Sequence, residues 1–292
     1  MRRNVLIIAN RHSRRGSTHL GAVLERLRAD GLEPEVHELP RKRALEQLIR
    51  ERGNKADVIV LGGGDGTMNA ASSALLEAAR PFAILPLGTA NDLARTLGIP
   101  QDPVAAAELI LAGPTRRIDL GVVNDHHFFN VASIGLSVRV AKALTKDVKR
   151  RLGSWGYPLT VYRVLKEGHS FSAEIRGAAG SISLRSIQLA VGNGRFYGGG
   201  LVVDEAAAID DHTLHLYSLK PQPMWKLLSR ALAFRQGRHD DPEAVEALAG
   251  TRFEVLTKRP MPVNTDGEVT TSTPARFSVL PAALEVVAPA PA

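Results

Sequence analysis

"LGGGDGTMNAASSAL", Leu61 to Leu75, follows directly on the apolar run "ADVIV", Ala56 to Val60. Behind Leu61 stand five residues that are all Gly or Asp, and then a stretch of Ala, Ser and Leu that reads as a helix. Glycine reaches backbone conformations closed to other residues and lets the main chain approach a ligand closely. The N–H groups of a helix's first turn lack intrahelical partners and point at whatever sits before them. Strand, glycine turn and helix head in that order make a place for an anion, and phosphate suits it. Thr67 is placed to cap the helix, and Asp65 to sit at the phosphates' edge and hold a metal ion. A tight turn without a ligand is the plainer alternative. The spacing is no clean G-x-G-x-x-G, because Thr67 stands where the third Gly would be. A Walker A loop is excluded as well, because its Lys is missing.

The same alternation runs outward from this stretch. "NVLIIA" from Asn4, "PEVHEL" from Pro34 and "FAILPLG" from Phe82 read as strands. Between them, "STHLGAVLERLRADG" puts Leu20, Val23, Leu24 and Leu27 on one helical face, and "RALEQLIRERGN" forms a second helix. "DPVAAAELILAG" carries Asp102 as N-cap, Pro103 at the first helical position and Gly113 as terminator. Short apolar strands separated by helices predict a parallel sheet covered on both faces. From about Arg117 the texture changes. "RIDLGVVNDHHFFNVASIG" has a hairpin-like turn at Asn124-Asp125. "FSAEIRG", "SISLRSIQLAVGNG", "TLHLYSL", "RFEVLT", "ARFSVL" and "ALEVVAP" are short, alternating and separated by turn residues, as in an antiparallel sheet or sandwich. We therefore expect two domains, residues 1–120 and 121–292.

Composition narrows the chemistry. With 292 residues, 44% hydrophobic and 23% charged, the chain can bury a substantial core and is not disordered. It has no cysteine, which excludes disulfides, thiolate metal sites and Cys nucleophiles. The opening "MRRNVLIIANRHSRRG" imitates a signal peptide, but its apolar part of about five residues is shorter than an h-region, so it reads as a buried strand. No stretch approaches the roughly 18 apolar residues of a membrane span. The net charge of +7 favours partners bearing phosphate, or is simply solubilising. Aromatics are only 5% and no nucleic-acid motif is present, so nucleic acid is not an expected partner. No G-x-S-x-G elbow or H-E-x-x-H helix supports a hydrolase.

"GGGDGTMN" together with "PLGTAND", Pro86 to Asp92, resembles the catalytic domain of diacylglycerol kinases and of their bacterial lipid-kinase and sphingosine-kinase relatives. "GGDGT" alone is shared with NAD kinases and phosphofructokinases; the pair with "LGTANDLARTLGIP" is far more specific. "VGNGRFYGGGLVVDEAAAIDDHTLHL", "VNTDGE" and "LPAAL" continue the likeness over nearly the full length. The resemblance implies an α/β N-terminal three-layer domain of NAD kinase/diacylglycerol kinase type, plus a C-terminal antiparallel β-sandwich domain that completes the cleft. By it, Gly64, Asp65, Gly66, Thr67, Met68, Asn69, Ala70 and Thr89 hold the nucleotide. Asp92 and Asp119 join a carboxylate network around catalytic Mg²⁺, with helix capping and a surface turn as their plainer roles. Glu268 is the proton acceptor for the lipid hydroxyl, or else part of a hairpin turn at "TDGE". Asp211 and the carbonyls of Ala208 and Thr213 bind a second, structural Mg²⁺.

Four residues depart from the family pattern or invite another reading. Arg11 stands where a proline is usual after the first strand's Asn, and Ala70 where Glu is frequent. His212 stands where a glycine is usual, which puts the second metal in question, because His takes an unusual backbone angle only at a cost. A zinc pair of His212 and His215 is rejected, since residues three apart on a strand face opposite sides. The basic segments Ala141 to Arg151 and Gln222 to His239 suit either an anionic membrane surface or a core-packed helix with snorkelling Lys and Arg. The expected activity is transfer of the ATP γ-phosphate to diacylglycerol, phosphatidylglycerol or a sphingoid base in phospholipid metabolism. The protein would be cytoplasmic and peripherally membrane-associated, with a homodimer left open. The rivals are a soluble NAD kinase and a catalytically silent nucleotide-binding protein.

Overall fold

Four short strands, Val5–Ala9 (β1), Glu35–Glu38 (β2), Val58–Gly63 (β3) and Phe82–Pro86 (β4), lie parallel in the order β2-β1-β3-β4. In the computed structural model they and the rest of the fold are described over residues 4–9, 14–39, 42–143, 160, 163–164, 166, 169–178, 180–194, 196–197, 201–202, 208–223, 226 and 245–290. β1, β3 and β4 are buried along their whole length, as continuous apolar runs require, and the charged "EVHE" of β2 blunts the sheet's edge. Helices Arg14–Ala29 (α1), Lys42–Arg52 (α2), Asp65–Ala78 (α3), Asp92–Thr96 (α4) and Pro103–Ala112 (α5) cover the sheet, with α1 packed on α5 and α2 on α3. Leu20, Val23 and Leu27 of α1 point into the core and Leu24 packs at its margin, the face that the periodicity predicts. In α5 the Asp102 carboxylate accepts from the Ala105 amide at 2.8 Å, and Gly113, at φ 71°, ends the helix with its N–H on the Leu109 carbonyl.

Thr115–Val123 (β5) and His126–Phe128 (β6) form the expected hairpin, turning at Asn124 with φ 52°. Next come Val131–Gly135 (β7), Leu136–Ala143 (α6), Phe171–Gly177 (β8), Gly180–Ser186 (β9), Gln188–Gly192 (β10), Phe196–Tyr197 (β11), Leu201–Val202 (β12) and Leu214–Leu219 (β13). Val245–Gly250 (β14), Arg252–Thr257 (β15), Pro262–Thr265 (β16), Glu268–Ser272 (β17) and Ala275–Val287 (β18) complete the elements. A second sheet, β14-β13-β10-β7-β16-β17, is antiparallel throughout. It faces strands β18, β15, β8 and β9, which run antiparallel to one another and extend the first sheet. Ile134, Leu189, Leu216 and Val263 meet Ile175, Val255 and Phe277 in a core between the two sheets. The architecture is an α/β layer joined to a β-sandwich.

Two strand readings need correction. "SISLRSIQLAVGNG" is not one strand: it breaks at Ile187, giving β9 to the first sheet and β10 to the second. "ARFSVL" and "ALEVVAP" are not separate strands but the two halves of β18. The register of β18 against β5 shifts between Leu280 and Leu284, and Ala282 adopts φ 47°. Extra residues at a bulge change which face a strand presents. Before it, Ala275, Phe277 and Val279 fill the sandwich core; after it, Leu284, Val286 and Val287 fill the α/β core. Val286 pairs in parallel with Phe82 of β4, so the last strand completes the first layer. "LPAAL" is this bulge. Replacing the α5 cap, Asp102→Ala, removes one hydrogen bond at an exposed helix head and lowers stability by about 1 kcal/mol in urea unfolding.

Candidate active site

β3 ends at Gly63 and α3 starts at Asp65, so the glycine turn is a single extended residue, Gly64, with φ −107° and ψ −170°. No side chain caps α3, which corrects the role expected of Thr67. Thr67 lies inside the first helical turn, and a Cβ on Gly63 would sit 2.3 Å from its Oγ1. The Thr67 and Met68 amides reach the Gly64 carbonyl at 2.9 and 3.2 Å, which leaves those of Asp65 and Gly66 as the open donors of the helix head. Gly66 is exposed and Asp65 half-buried, so this corner faces outward. Met68 and Asn69 turn inward, Ala70 packs at the core margin, and Thr89 is exposed beside Gly88. The expected nucleotide segment therefore divides. Gly64 to Thr67 line the turn, while Met68 to Ala70 support it from below.

The "LGTAND" segment closes against this turn backbone to backbone: a Cβ on Gly88 would lie 2.5 Å from the Gly64 Cα. Asp65 locks the pair, its Oδ1 accepting from the Leu93 amide of α4 at 3.0 Å. Asn91, at φ 52°, donates Nδ2 to the Gly88 carbonyl and to Gln101 Oε1 at 3.2 and 3.3 Å. Its Oδ1 is buried without a partner, 2.6 Å from where a Gly88 Cβ would stand. An orphaned oxygen beside the open amides of a helix head fits a hydrated divalent cation, whose waters donate to it. Asp92 is buried at the first position of α4. Asp119 is buried in β5 rather than on a surface turn, and its carboxylate accepts from the His212 amide, His212 Nδ1 and the Ala282 amide at 2.6, 2.8 and 2.7 Å. Those bonds hold the β18 bulge.

Glu268 comes to the glycine turn from the other sheet. Thr265 and Glu268 pair across β16 and β17, with Asp266 and Gly267 between them at φ 48° and 101°. Two left-handed residues make the tight turn that Asp-Gly favours. "TDGE" is thus a hairpin turn and also a site element, since Glu268 Oε1 lies 3.8 Å from where a Gly66 Cβ would stand. Asp266, which sequence reasoning missed, fixes the turn. Its carboxylate accepts from the amides of Phe129, Asn130 and Val131 at 2.7, 3.0 and 3.1 Å, and from Asn69 Nδ2 at 3.2 Å. Asn69 also donates to the His127 carbonyl at 2.9 Å. Burial pushes the Asp266 carboxyl up to about 6, against the pull of these four donors. Burial also lowers His127, whose Nδ1 lies within 3.3 Å of Ser72 and Ser73 on α3.

In the loop Ala208 to Thr213, the Asp211 carboxylate expected to hold a second cation already has N–H partners. Asp211 Oδ2 accepts from the Ala208 amide and from His215 Nε2 at 3.1 and 2.8 Å, and Oδ1 from the Thr213 amide at 2.8 Å. Ala208 and Thr213 thus point N–H groups at Asp211, and the Ala208 carbonyl accepts from the Asp211 amide at 3.4 Å. Burial works to raise the Asp211 carboxyl, but His215 and these amides outweigh it and hold it low. His212 takes the left-handed angle, φ 59°, that made this site doubtful. Among the described residues no cluster of three or more His, Asp or Glu is arranged to hold a metal, and no helix is long and apolar enough to cross a membrane. Arg11 and most of both basic segments lie outside the described residues.

The model of the diacylglycerol kinase catalytic domain matches residues 4–123, and that of the YegS C-terminal NAD kinase beta sandwich-like domain matches residues 130–288. A Pseudomonas aeruginosa protein named "Probable lipid kinase YegS-like" is 38% identical over 80% of this chain and 76% of its own. The chain belongs to the YegS-like lipid kinase family. A Pectobacterium atrosepticum member is 34% identical over 96% of this chain and 94% of its own. A solved Bacillus anthracis chain, provisionally titled a diacylglycerol kinase, superposes with a TM-score of 0.83 at 26% identity, covering 99% and 96% of the two chains. For a lipid kinase the coarse requirements are a phosphoryl-donating nucleotide, usually with a divalent metal, and a lipid acceptor.

Two outcomes check this geometry. Gly88→Ala drives a Cβ into the Gly64 backbone and the Asn91 amide, so nucleotide affinity in calorimetry falls by at least about tenfold while most of the fold survives, an overpacking cost of roughly 1–3 kcal/mol. The folded value of Asp266 lies above the unfolded one of about 3.9, so its linked stability is fully present below about pH 4 and is lost as pH rises through about 6. Measured against Asp266→Asn, wild-type stability in urea therefore declines over that window, by on the order of 1–3 kcal/mol.

Proposed function

We propose that this protein transfers the γ-phosphate of ATP to a hydroxyl of a membrane lipid: diacylglycerol, phosphatidylglycerol or a sphingoid base. The observation that carries this reading is the Glu268 carboxylate against Gly66, a base beside a cradle for phosphate. In it, residues 1–120 supply the nucleotide side and residues 121–292 the acceptor side. The Asp65 and Gly66 amides, at the positive end of α3, receive the triphosphate. Bound Mg²⁺ would supply charge neutralisation at the phosphates, held through the Asp65 carboxylate and the orphaned Asn91 Oδ1. Glu268 takes the proton of the lipid hydroxyl as its oxygen bonds to phosphorus and the bond to the leaving ADP oxygen breaks. Most of the rate comes from positioning and fixed dipoles, not from covalent chemistry. The lipid stays in its membrane, and the net charge of +7 draws the enzyme to an anionic cytoplasmic surface.

The test supplies Mg²⁺ and γ-labelled ATP with vesicles containing each lipid in turn, and NAD in a separate tube. Label enters the organic phase, and Glu268→Gln lowers that rate by about 10²–10⁴-fold with the melting temperature unchanged, because Glu268 is exposed. Label only in NADP would establish the soluble kinase instead. No transfer to either acceptor would establish the silent protein.

A further inference from the structure

Loop Ala208 to Thr213 is fastened by one buried apolar side chain and by a set of polar bonds. Ile209 sits in the α/β core while its carbonyl accepts from the Asp119 amide of β5 at 2.8 Å. Asp210 pairs with Arg116 of the same strand at 3.3 Å. Asp119 then takes the backbone N–H and the imidazole Nδ1 of His212 at 2.6 and 2.8 Å. On the other flank, His215 of β13 gives Nε2 to Asp211 at 2.8 Å. Two carboxylates on the loop's two sides are thus each met by an imidazole.

These N–H groups compete with a hard cation for both carboxylates. Mg²⁺ needs near-octahedral oxygen ligands at about 2.1 Å. At Asp211 three N–H groups take three of the carboxylate's four lone-pair directions, one of them from a ring that the cation would have to evict. At His212 the left-handed backbone, costly for a side-chain-bearing residue, is retained together with two charge-assisted bonds to a carboxylate that is 1% exposed. An imidazole at each carboxylate fixes the turn by hydrogen bonding to an oxygen that a bound ion would otherwise hold.

We propose that the His212–Asp119 and His215–Asp211 pairs form a cation-free clasp, so that in this chain the loop keeps its shape without a structural metal. The metal requirement then belongs to the nucleotide alone. The clasp reaches further than the loop, because Asp119 also holds the Ala282 amide of the β18 bulge at 2.7 Å.

The test uses the full chain without nucleotide and reads melting temperature, so it is independent of whether the protein is a kinase. Wild type melts at the same temperature in EDTA and in millimolar Mg²⁺. His215→Leu and Asp211→Asn each lower that temperature, by the same amount in both buffers. The double variant His212→Gly/His215→Leu, which frees Asp211 and relieves the strained angle, acquires a Mg²⁺-dependent rise that wild type lacks. A Mg²⁺-dependent rise in wild type that Asp211→Asn abolishes would overturn the clasp. So would an equal rise in wild type and the double variant.

Discussion

A carboxylate drawn partly out of water costs free energy unless its lone pairs are filled, and half-buried Asp266 is filled by four N–H donors from two other parts of the chain. Three are consecutive amides leading into β7; the fourth is Asn69, on the helix that begins at the glycine turn. One side chain thereby fixes the distance between the sandwich and the α/β layer at the place where chemistry is proposed. Glu268, two residues on, has no comparable restraint of its own. Its position opposite Gly66 follows from the turn that Asp266 holds.

Asp119 plays the matching part between the loop Ala208 to Thr213 and β18. Its carboxylate fixes the bulge of β18 and the bend at His212. The bulge lets a single strand face one core with its first half and the other core with its second. Two cores joined by one continuous strand do not depend on a flexible linker for their alignment. Burial of Leu284, Val286 and Val287 in the first layer, about 1.5–3 kcal/mol for each side chain fully removed from water, ties the chain's last strand to its first ones.

The parallel layer was legible because its signals are local. Apolar runs for β1, β3 and β4, the Leu20 to Leu27 face and the Asp102-Pro103 start each specify structure within a few residues. What escaped depends on distant partners. Nothing near Ala282 announces that Asp119, far back in the chain, supports a bulge there, so β18 read as two strands. Ile187 ends β9 only because a second sheet claims the residues after it. At the site, Glu268 and the glycine turn were found by resemblance and meet in space. Asp266 was passed over as a turn residue, although a "DG" turn placed next to a candidate base is a signal that could have found it. For Asp119 and Asp211, a carboxylate in sequence does not show the N–H groups that the fold brings around it.

The central claim is that the corner between Gly64 and Gly66 receives a triphosphate with Glu268 beside its terminal phosphate. A crystal structure with Mg²⁺ and a non-hydrolysable ATP analogue tests it most directly. The account predicts phosphate oxygens on the Asp65 and Gly66 amides and the Glu268 carboxylate facing the terminal phosphate across a gap that a hydroxyl can enter. A nucleotide bound elsewhere on the chain, or a terminal phosphate pointing away from Glu268, would contradict it.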